Sequence, residues 1–507
     1  MALCLSHAGS IRGNPHLSIL LARQGERGAF GHSIKPLRRA TSEFMTLPAL
    51  SQRQFHVFSH LGYHYILGVD TMTAALIAAE TACLLEDVEN GRRGGTDAFW
   101  QDDFARLNLG FKTDEFEECS GEHRVAISHA VLFLTQRCNF RCTYCYGAGG
   151  GYGHPGEMRP DVALRAVDWL IEQSGSLKKL SLQFFGGEPL LQLAELREIT
   201  LYAKEKAGRQ GKEISFSITT NGSLLDDGAI SFLKEMAFRV TVSFDGPQDV
   251  QDAQRPFLSG KGSFARVAEN VKKLLAAMPE SRCRPTLTNG GDARRIRDSL
   301  REAGFRNIGV GLVSPSLFVN GTELFQRGVD GVLDLMEDES WEWISAVQDR
   351  DAAHLRILRD SGILHEAIAH IHHGQKKNRH CLAGSEMVAI SCSGDIFPCH
   401  RFTGQESYRM GNVTSGEFQR TGCSALVEDY GDGCKECFAR NFCAGGCKHD
   451  NLGMTGSPLE PAADMCRVER RKLELAAWVC CSLGKCDFEY LLDESILPPK
   501  PCPIDFP

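Results

Sequence analysis

Long apolar runs are missing from this chain. No stretch of 18 or more apolar residues occurs among its 507 residues, so no membrane-spanning helix is expected. Strong charge of one sign is missing too. A net charge of −8 gives no electrostatic case for a nucleic-acid groove or an anionic membrane surface. Low-complexity tracts are lacking, and so are internal repeats beyond the βα units described below. The 20 cysteines are clustered, without the density of a small secreted disulfide scaffold. What is present is ordinary: 42% hydrophobic and 24% charged residues match a soluble globular protein. The length suits about two or three domains. Thiol clusters would oxidise outside a reducing compartment, so a cytoplasmic location is expected.

Residues 1–44 carry Arg12, Arg23, Arg27, Lys35, Arg38 and Arg39 against Glu26 and Glu43. They mildly resemble a transit peptide, but a disordered or mis-called extension, with Met45 as the start, is the preferred expectation. Residues 45–125 should form a small α+β module, a hairpin followed by a helix ending near "CLLEDVENGRRGG". From 126 to 320 strands and amphipathic helices alternate, beginning with "AISHAVLFLT" and "RPDVALRAVDWLIEQSG". Six such units predict an α/β fold with a parallel sheet, a partial (β/α)6 TIM-like barrel whose site lies at the strands' carboxyl ends. Residues 321–378 read as a polar helical linker, 379–475 as a cysteine-rich domain and 476–507 as a tail.

In "LTQRCNFRCTYCYGAGGGYG", Cys138, Cys142 and Cys145 follow the first barrel strand. Thiolates select iron–sulfur clusters, zinc or copper(I). Zinc structural sites usually have four ligands, whereas three cysteines with no local fourth suit a [4Fe–4S] cluster with one open iron. A zinc loop remains the bland alternative. Three further stretches end the next three strands: "QFFGGEP", "SITTNG" and "VSFDGP", the last followed by Arg255. Gly186 and Gly187 would let backbone approach a ligand closely. Each stretch alone could be a strand-end turn.

With Tyr144 just before its last cysteine, the loop resembles the signature of radical S-adenosylmethionine (SAM) enzymes. The resemblance implies that Cys138, Cys142 and Cys145 bind three irons and SAM chelates the fourth. It implies further SAM contacts from Tyr144, from Gly186, Gly187, Glu188 and Pro189, from Asn221, and from Ser243, Asp245 and Arg255.

Towards the C-terminus, Cys381 is followed after twelve residues by Gly394 and after four more by Cys399. "CKECFARNFCAGGC" holds Cys434, Cys437, Cys443 and Cys447, and Cys466 follows at a distance. This matches the seven-cysteine SPASM pattern of peptide-modifying radical SAM enzymes. A pair of zinc ribbons is the bland reading. By resemblance, Cys434, Cys437, Cys443 and Cys466 would hold an outer auxiliary cluster, and Cys381, Cys399 and Cys447 an inner one. The inner cluster's fourth position is left to Cys392, another cysteine, or a substrate thiolate. Three [4Fe–4S] clusters and SAM are the implied cofactors. Cys4, Cys83, Cys119, Cys283 and Cys423 look like lone, small buried hydrophobes. Cys480, Cys481, Cys486 and Cys502 lie towards the end. The "HEAIAHIHH" stretch is read as a solvated helix rather than a metal face.

The nearest look is to maturases that build thioethers from cysteine to carbon in peptides, of the six-cysteine-peptide maturase and quinohemoprotein amine dehydrogenase crosslinking types. The resemblance implies a peptide or small-protein substrate with a leader, bound by strand addition at the N-terminal module, and a flavodoxin or ferredoxin as electron donor. Sulfatase-maturating enzymes are the rival. They use an aspartate directly after the inner-cluster cysteine, where this chain has His400. His400 and Arg401 are the candidate catalytic residues. A zinc-binding peptide adaptor without chemistry is the alternative from another class.

Overall fold

Alternating burial in "FHVFSH" and "YHYILG" makes the first two strands, β1 (Phe55–His60) and β2 (Tyr63–Gly68), an antiparallel hairpin. The computed structural model describes residues 54–90, 92, 126–314, 322–377, 379–419, 431–483, 487 and 490. Expectations for residues 1–44, for most of 91–125, and for Cys4, Cys119, Cys423, Cys486 and Cys502 lie outside these. The N-terminal module has one strand more than its sequence suggested. "TAALI" forms β3 (Thr73–Ile77), antiparallel to β2, ahead of helix α1 (Ala79–Glu89). Its run of small and β-branched residues fits either period, and pairing to β2 decides it.

The βα alternation then appears in order. Strand β4 (His129–Thr135) is buried along its whole length, as a strand covered on both faces must be. Helix α2 (Pro160–Gln173) starts with proline at its first position and buries Val162, Ala163, Ala166, Val167 and Leu170 along one stripe. There follow β5 (Lys179–Gly186), α3 (Leu193–Arg209), β6 (Glu213–Thr220) and α4 (Asp227–Glu235). The Asp226 carboxylate caps α4 by accepting from the Ala229 amide at 2.7 Å. Next come β7 (Arg239–Val242), α5 (Gln248–Gln254), α6 (Phe264–Ala277), β8 (Arg282–Cys283), β9 (Thr286–Leu287), α7 (Ala293–Glu302), β10 (Asn307–Ile308) and β11 (Gly311–Leu312).

Strands β4 to β8 and β10 are all parallel, in the spatial order β4-β5-β6-β7-β8-β10. β9 and β11 continue β8 and β10 as a separate parallel pair. The other edge of β4 is taken by β12 (Met387–Ile390), again in parallel, and β13 (Asp395–Phe397), β14 (Gly411–Asn412) and β15 (Glu417–Phe418) extend the sheet antiparallel. The start of the cysteine-rich segment is thus built onto the parallel sheet itself.

The segment expected to be a polar linker is well packed. Helix α8 (Thr322–Gln348) buries Phe325, Val329, Leu335, Met336, Trp343 and Ile344. After α9 (Ala352–Ser361), the "HEAIAHIHH" helix, α10 (His365–His373), buries Ala367, Ile368, His370 and Ile371, so it is not a solvated helix. Helix α11 (Lys448–Thr455) follows the last clustered cysteine. The long α12 (Ala463–Ser482) runs through the expected tail boundary and carries Cys480, buried in the apolar core. Cys83 is exposed rather than buried, whereas Cys283 is buried as expected. Among the described residues no helix is long and apolar enough to cross a membrane.

Candidate functional site

The three-cysteine loop leaves the carboxyl end of β4 and is held by backbone bonds to the end of α5 and the residues just after it. The Arg141 amide donates to Pro256 O at 2.8 Å and the Thr143 amide to Gln254 O at 2.9 Å. Cys138, Cys142 and Cys145 are all partly exposed. Burial pushes the Cys138 thiol up to about 12, with smaller pushes from Glu188, Cys142 and Cys145. Burial also pushes Cys142 up to about 12, opposed by Arg255. Such thiols ionise only when a cation or metal neutralises them.

Glycines let the next strand end close onto this loop. A Cβ on Gly187 would stand 1.9 Å from Arg137 O, one on Gly186 2.2 Å from Thr135 O, and one on Gly150 2.6 Å from Gly187 Cα. The GGEP segment and the cysteine loop therefore meet backbone to backbone. Glu188 is fully buried. Its carboxylate accepts from the Leu190 amide at 3.0 Å, Thr220 Oγ1 at 2.7 Å and the Asn221 amide at 2.7 Å. Burial raises it to about 7 against those donors. Buried Pro189 opens the short 3-10 turn that Glu188 caps. Asn221 Nδ2 donates to Asn139 Oδ1 at 2.7 Å and lies 3.9 Å from Cys138 Sγ.

A second buried network backs the loop. Tyr144 donates its hydroxyl to Asp245 Oδ2 at 2.6 Å. Arg255 grips the same carboxylate through Nε at 2.9 Å and Nη2 at 3.0 Å, and the Thr286 amide adds a bond at 2.9 Å. Ser243 is partly exposed, with its amide bonded to Thr220 O at 2.8 Å. Glu188 and Asp245, both named among the SAM contacts implied by the resemblance, have carboxylates occupied by the chain itself. Both are fully buried and saturated by donors of the chain. They tie strand ends together.

The C-terminal cysteines fall into two groups. Burial pushes the Cys399 thiol up to about 12, and Cys381 adds to the push. Burial likewise raises Cys447, with Cys381 again contributing. Cys434, Cys437, Cys443 and Cys466 line one open pocket with Arg470 and Glu469. Cys392 belongs to neither description. Its thiol donates to Phe133 O at 3.3 Å and approaches Gly156 O at 3.5 Å, and its amide donates to Gln136 Oε1 at 3.1 Å. Among the described residues all these cysteines are free thiols, and no three or more His, Cys, Asp or Glu side chains converge as ligands of a single metal ion.

Around His400 the carboxyl end of β5 and the cysteine loop meet the cysteine-rich segment. The His400 ring packs 4.9 Å from Phe185 and 6.3 Å from Tyr146. Burial, then Arg401 and His449, lower its pKa well below the usual histidine range. Its buried Nδ1 has no hydrogen-bond partner among the described residues. Arg401 Nη1 binds both oxygens of Asp450, at 2.7 and 2.6 Å. Asp450 and Ser314 escaped the sequence reading. The only signal for Asp450 was its place three residues after Cys447, and Ser314 carried none.

Residues 132–289 match the radical SAM superfamily model. The chain carries a radical SAM domain. Such a domain implies a [4Fe–4S] cluster and SAM, and a catalytic protein rather than a zinc adaptor. A "Cysteine-type anaerobic sulfatase-maturating enzyme" of Clostridium perfringens is 23% identical over 343 residues, 64% of this chain and 89% of that protein. An uncharacterized protein of Methanocaldococcus jannaschii is 31% identical over 137 residues. That match takes in 27% of this chain and less than half, 45%, of the relative. Among solved structures, "Native anSMEcpe with bound AdoMet and Cp18Cys peptide" superposes with a TM-score of 0.57 at 21% identity, covering 69% of this chain and 96% of that one. That likeness is one of fold, and it extends well beyond the radical SAM domain.

Proposed function

We propose that this chain is a radical SAM peptide maturase that joins a cysteine sulfur of a bound peptide to a carbon of the same peptide. The observation that carries this reading is the inner cysteine group. Cys392 is turned to the carbonyls of Phe133 and Gly156, so Cys381, Cys399 and Cys447 form a set of three that a substrate thiolate would complete. Cys138, Cys142 and Cys145 would hold the SAM cluster. Cys434, Cys437, Cys443 and Cys466 would hold the outer one.

When bound, SAM and its cluster supply a carbon radical that removes one hydrogen atom, and the auxiliary clusters supply a sink for the remaining electron. The chain's own part is to bind, orient and exclude water. His400, whose buried Nδ1 has no hydrogen-bond partner among the described residues, would accept the substrate thiol proton. The balance is one S–H and one C–H lost and one S–C bond formed. Strands β1 and β3 are the edges of the N-terminal sheet, where a peptide leader would add as a further strand. Leu76 on β3, 53% exposed, adds an apolar contact. A flavodoxin or ferredoxin would deliver the reducing electron.

A second reading, oxidation of one cysteine to formylglycine, is favoured by the similarity to a sulfatase-maturating enzyme over most of that relative's length. His400 after Cys399 speaks against it. Co-expression with short cysteine-rich reading frames beside the gene separates the two. The thioether reading predicts a product that resists thiol alkylation and forms no hydrazone. An aldehyde that reacts with hydrazide would replace it with the formylglycine reading.

A further inference from the structure

Arg401 and Asp450 form an ion pair at the edge of the inner cysteine group. Arg401 lies two residues after Cys399, and Asp450 three after Cys447. Besides the carboxylate, Arg401 Nη1 stands 3.6 Å from Cys447 Sγ and 3.2 Å from Ser314 Oγ. Ser314, just past β11, donates to Asp450 Oδ1 at 2.6 Å and contacts His449 Nδ1 at 3.3 Å. The clamp thus ties the last barrel strand to both segments that supply inner-group thiols. The side chains are 21% and 11% exposed, so water screens the pair little.

We propose that the Arg401–Asp450 clamp sets the reduction potential of the inner auxiliary cluster, through the N–H that Arg401 directs at the Cys447 sulfur and through the cancelling charge of Asp450. The proposal rests on the reading of Cys381, Cys399 and Cys447 as cluster ligands. Hydrogen bonds to cluster sulfurs and nearby charge are established levers on potential. A donor aimed at a thiolate favours the more negative, reduced state. Asp450 works against this by neutralising the guanidinium while fixing where its N–H points. Arg401 and Asp450 are positioning residues here, since they act through Cys447.

The two partners should move the potential in opposite directions, which a merely structural role would not do. The test is a potentiometric titration, followed by electron paramagnetic resonance, of anaerobically reconstituted full-length protein. Iron is counted first. Roughly twelve irons per chain support the three-cluster reading, and about four overturn it and the inference with it. With the clusters present, Arg401→Gln should lower the potential of one auxiliary signal, and Asp450→Asn should raise the same signal. Each change should be about tenfold in the one-electron equilibrium, about 59 mV. The signal that responds to added SAM should not move. Shifts in the same direction, no shift, or a shift confined to the SAM-responsive signal would overturn the inference while leaving the cluster reading intact. If Arg401→Gln loses iron, Arg401→Lys must keep it and shift the signal the same way by less. Loss of iron there as well counts against the proposal.

Discussion

Replacing Gly187 by alanine tests how the site is closed. The new Cβ would stand 1.9 Å from Arg137 O, 2.3 Å from Arg137 C and 2.9 Å from Cys138 N. All three atoms are backbone, so no side chain can swing away. The strand end must back off by about 1 Å, a strain in the range of about 1–3 kcal/mol for overpacking. The bonds that join the two segments, Gly187 N to Thr135 O and Glu188 N to Arg137 O, both 2.9 Å, stretch with it. Losing one adds about 1 kcal/mol. The total is roughly 2–4 kcal/mol, placed directly on the residue before Cys138 and on Cys138 itself. Gly149→Ala is the control. Its φ of +75° strains a side chain, but nothing lies within 4 Å of its Cβ, so about 1 kcal/mol is expected. Denaturant midpoints and iron content after anaerobic reconstitution read the outcome. Gly187→Ala should lose most of the iron of the SAM site, and Gly149→Ala should keep it. Equal stability and equal iron in the two variants would refute the claim that backbone contact between GGEP and the cysteine loop shapes the site.

Other predictions follow from buried groups. Asp245→Asn leaves the Arg255 guanidinium, 6% exposed, without its counter-charge. It should cost about 3–5 kcal/mol in chemical denaturation, and Asp245→Asn with Arg255→Met should recover part of that. Glu188→Gln turns an amide N–H towards the donors of Thr220, Asn221 or Leu190, so a loss of about 1–3 kcal/mol is expected. His56 lies between Glu89 at 2.7 Å and Glu474 at 3.1 Å, stacked on Phe438 at 3.6 Å. Burial lowers its pKa, but the two carboxylates outweigh that and raise it above 6.5. Its contribution to stability is complete below the ordinary histidine range and is lost as pH rises through the raised value. His56→Asn should flatten that part of a stability–pH curve, and an unchanged slope would remove His56 as its source.

Much of this was legible because periodicity and strand-end motifs are local. "HAVLFLT", "QFFGGEP", "SITTNG" and "VSFDGP" each announced a strand and its carboxyl end, and the sheet order follows from short right-handed connections. What stayed hidden is set by distant pairing. No local pattern says that Met387–Ile390 will pair with β4. Nor does any local pattern turn Glu188 and Asp245 inward. That depends on donors from Thr220, Asn221, Tyr144, Arg255 and Thr286 arriving from other segments. The polar look of α8 came from its exposed stripe, while Trp343, Met336 and Phe325 fill the core on the other. Cys392 could be counted among the clustered cysteines in the sequence. Only the fold sends its thiol to a carbonyl of β4.

The most direct test of the central claim counts iron and follows SAM cleavage in two proteins side by side, under anaerobic conditions with dithionite. Wild type should hold roughly twelve irons per chain and form 5′-deoxyadenosine. The variant with Cys138, Cys142 and Cys145 changed to alanine should hold roughly eight and form none. About four irons in the wild type, or 5′-deoxyadenosine from the variant, would contradict the account.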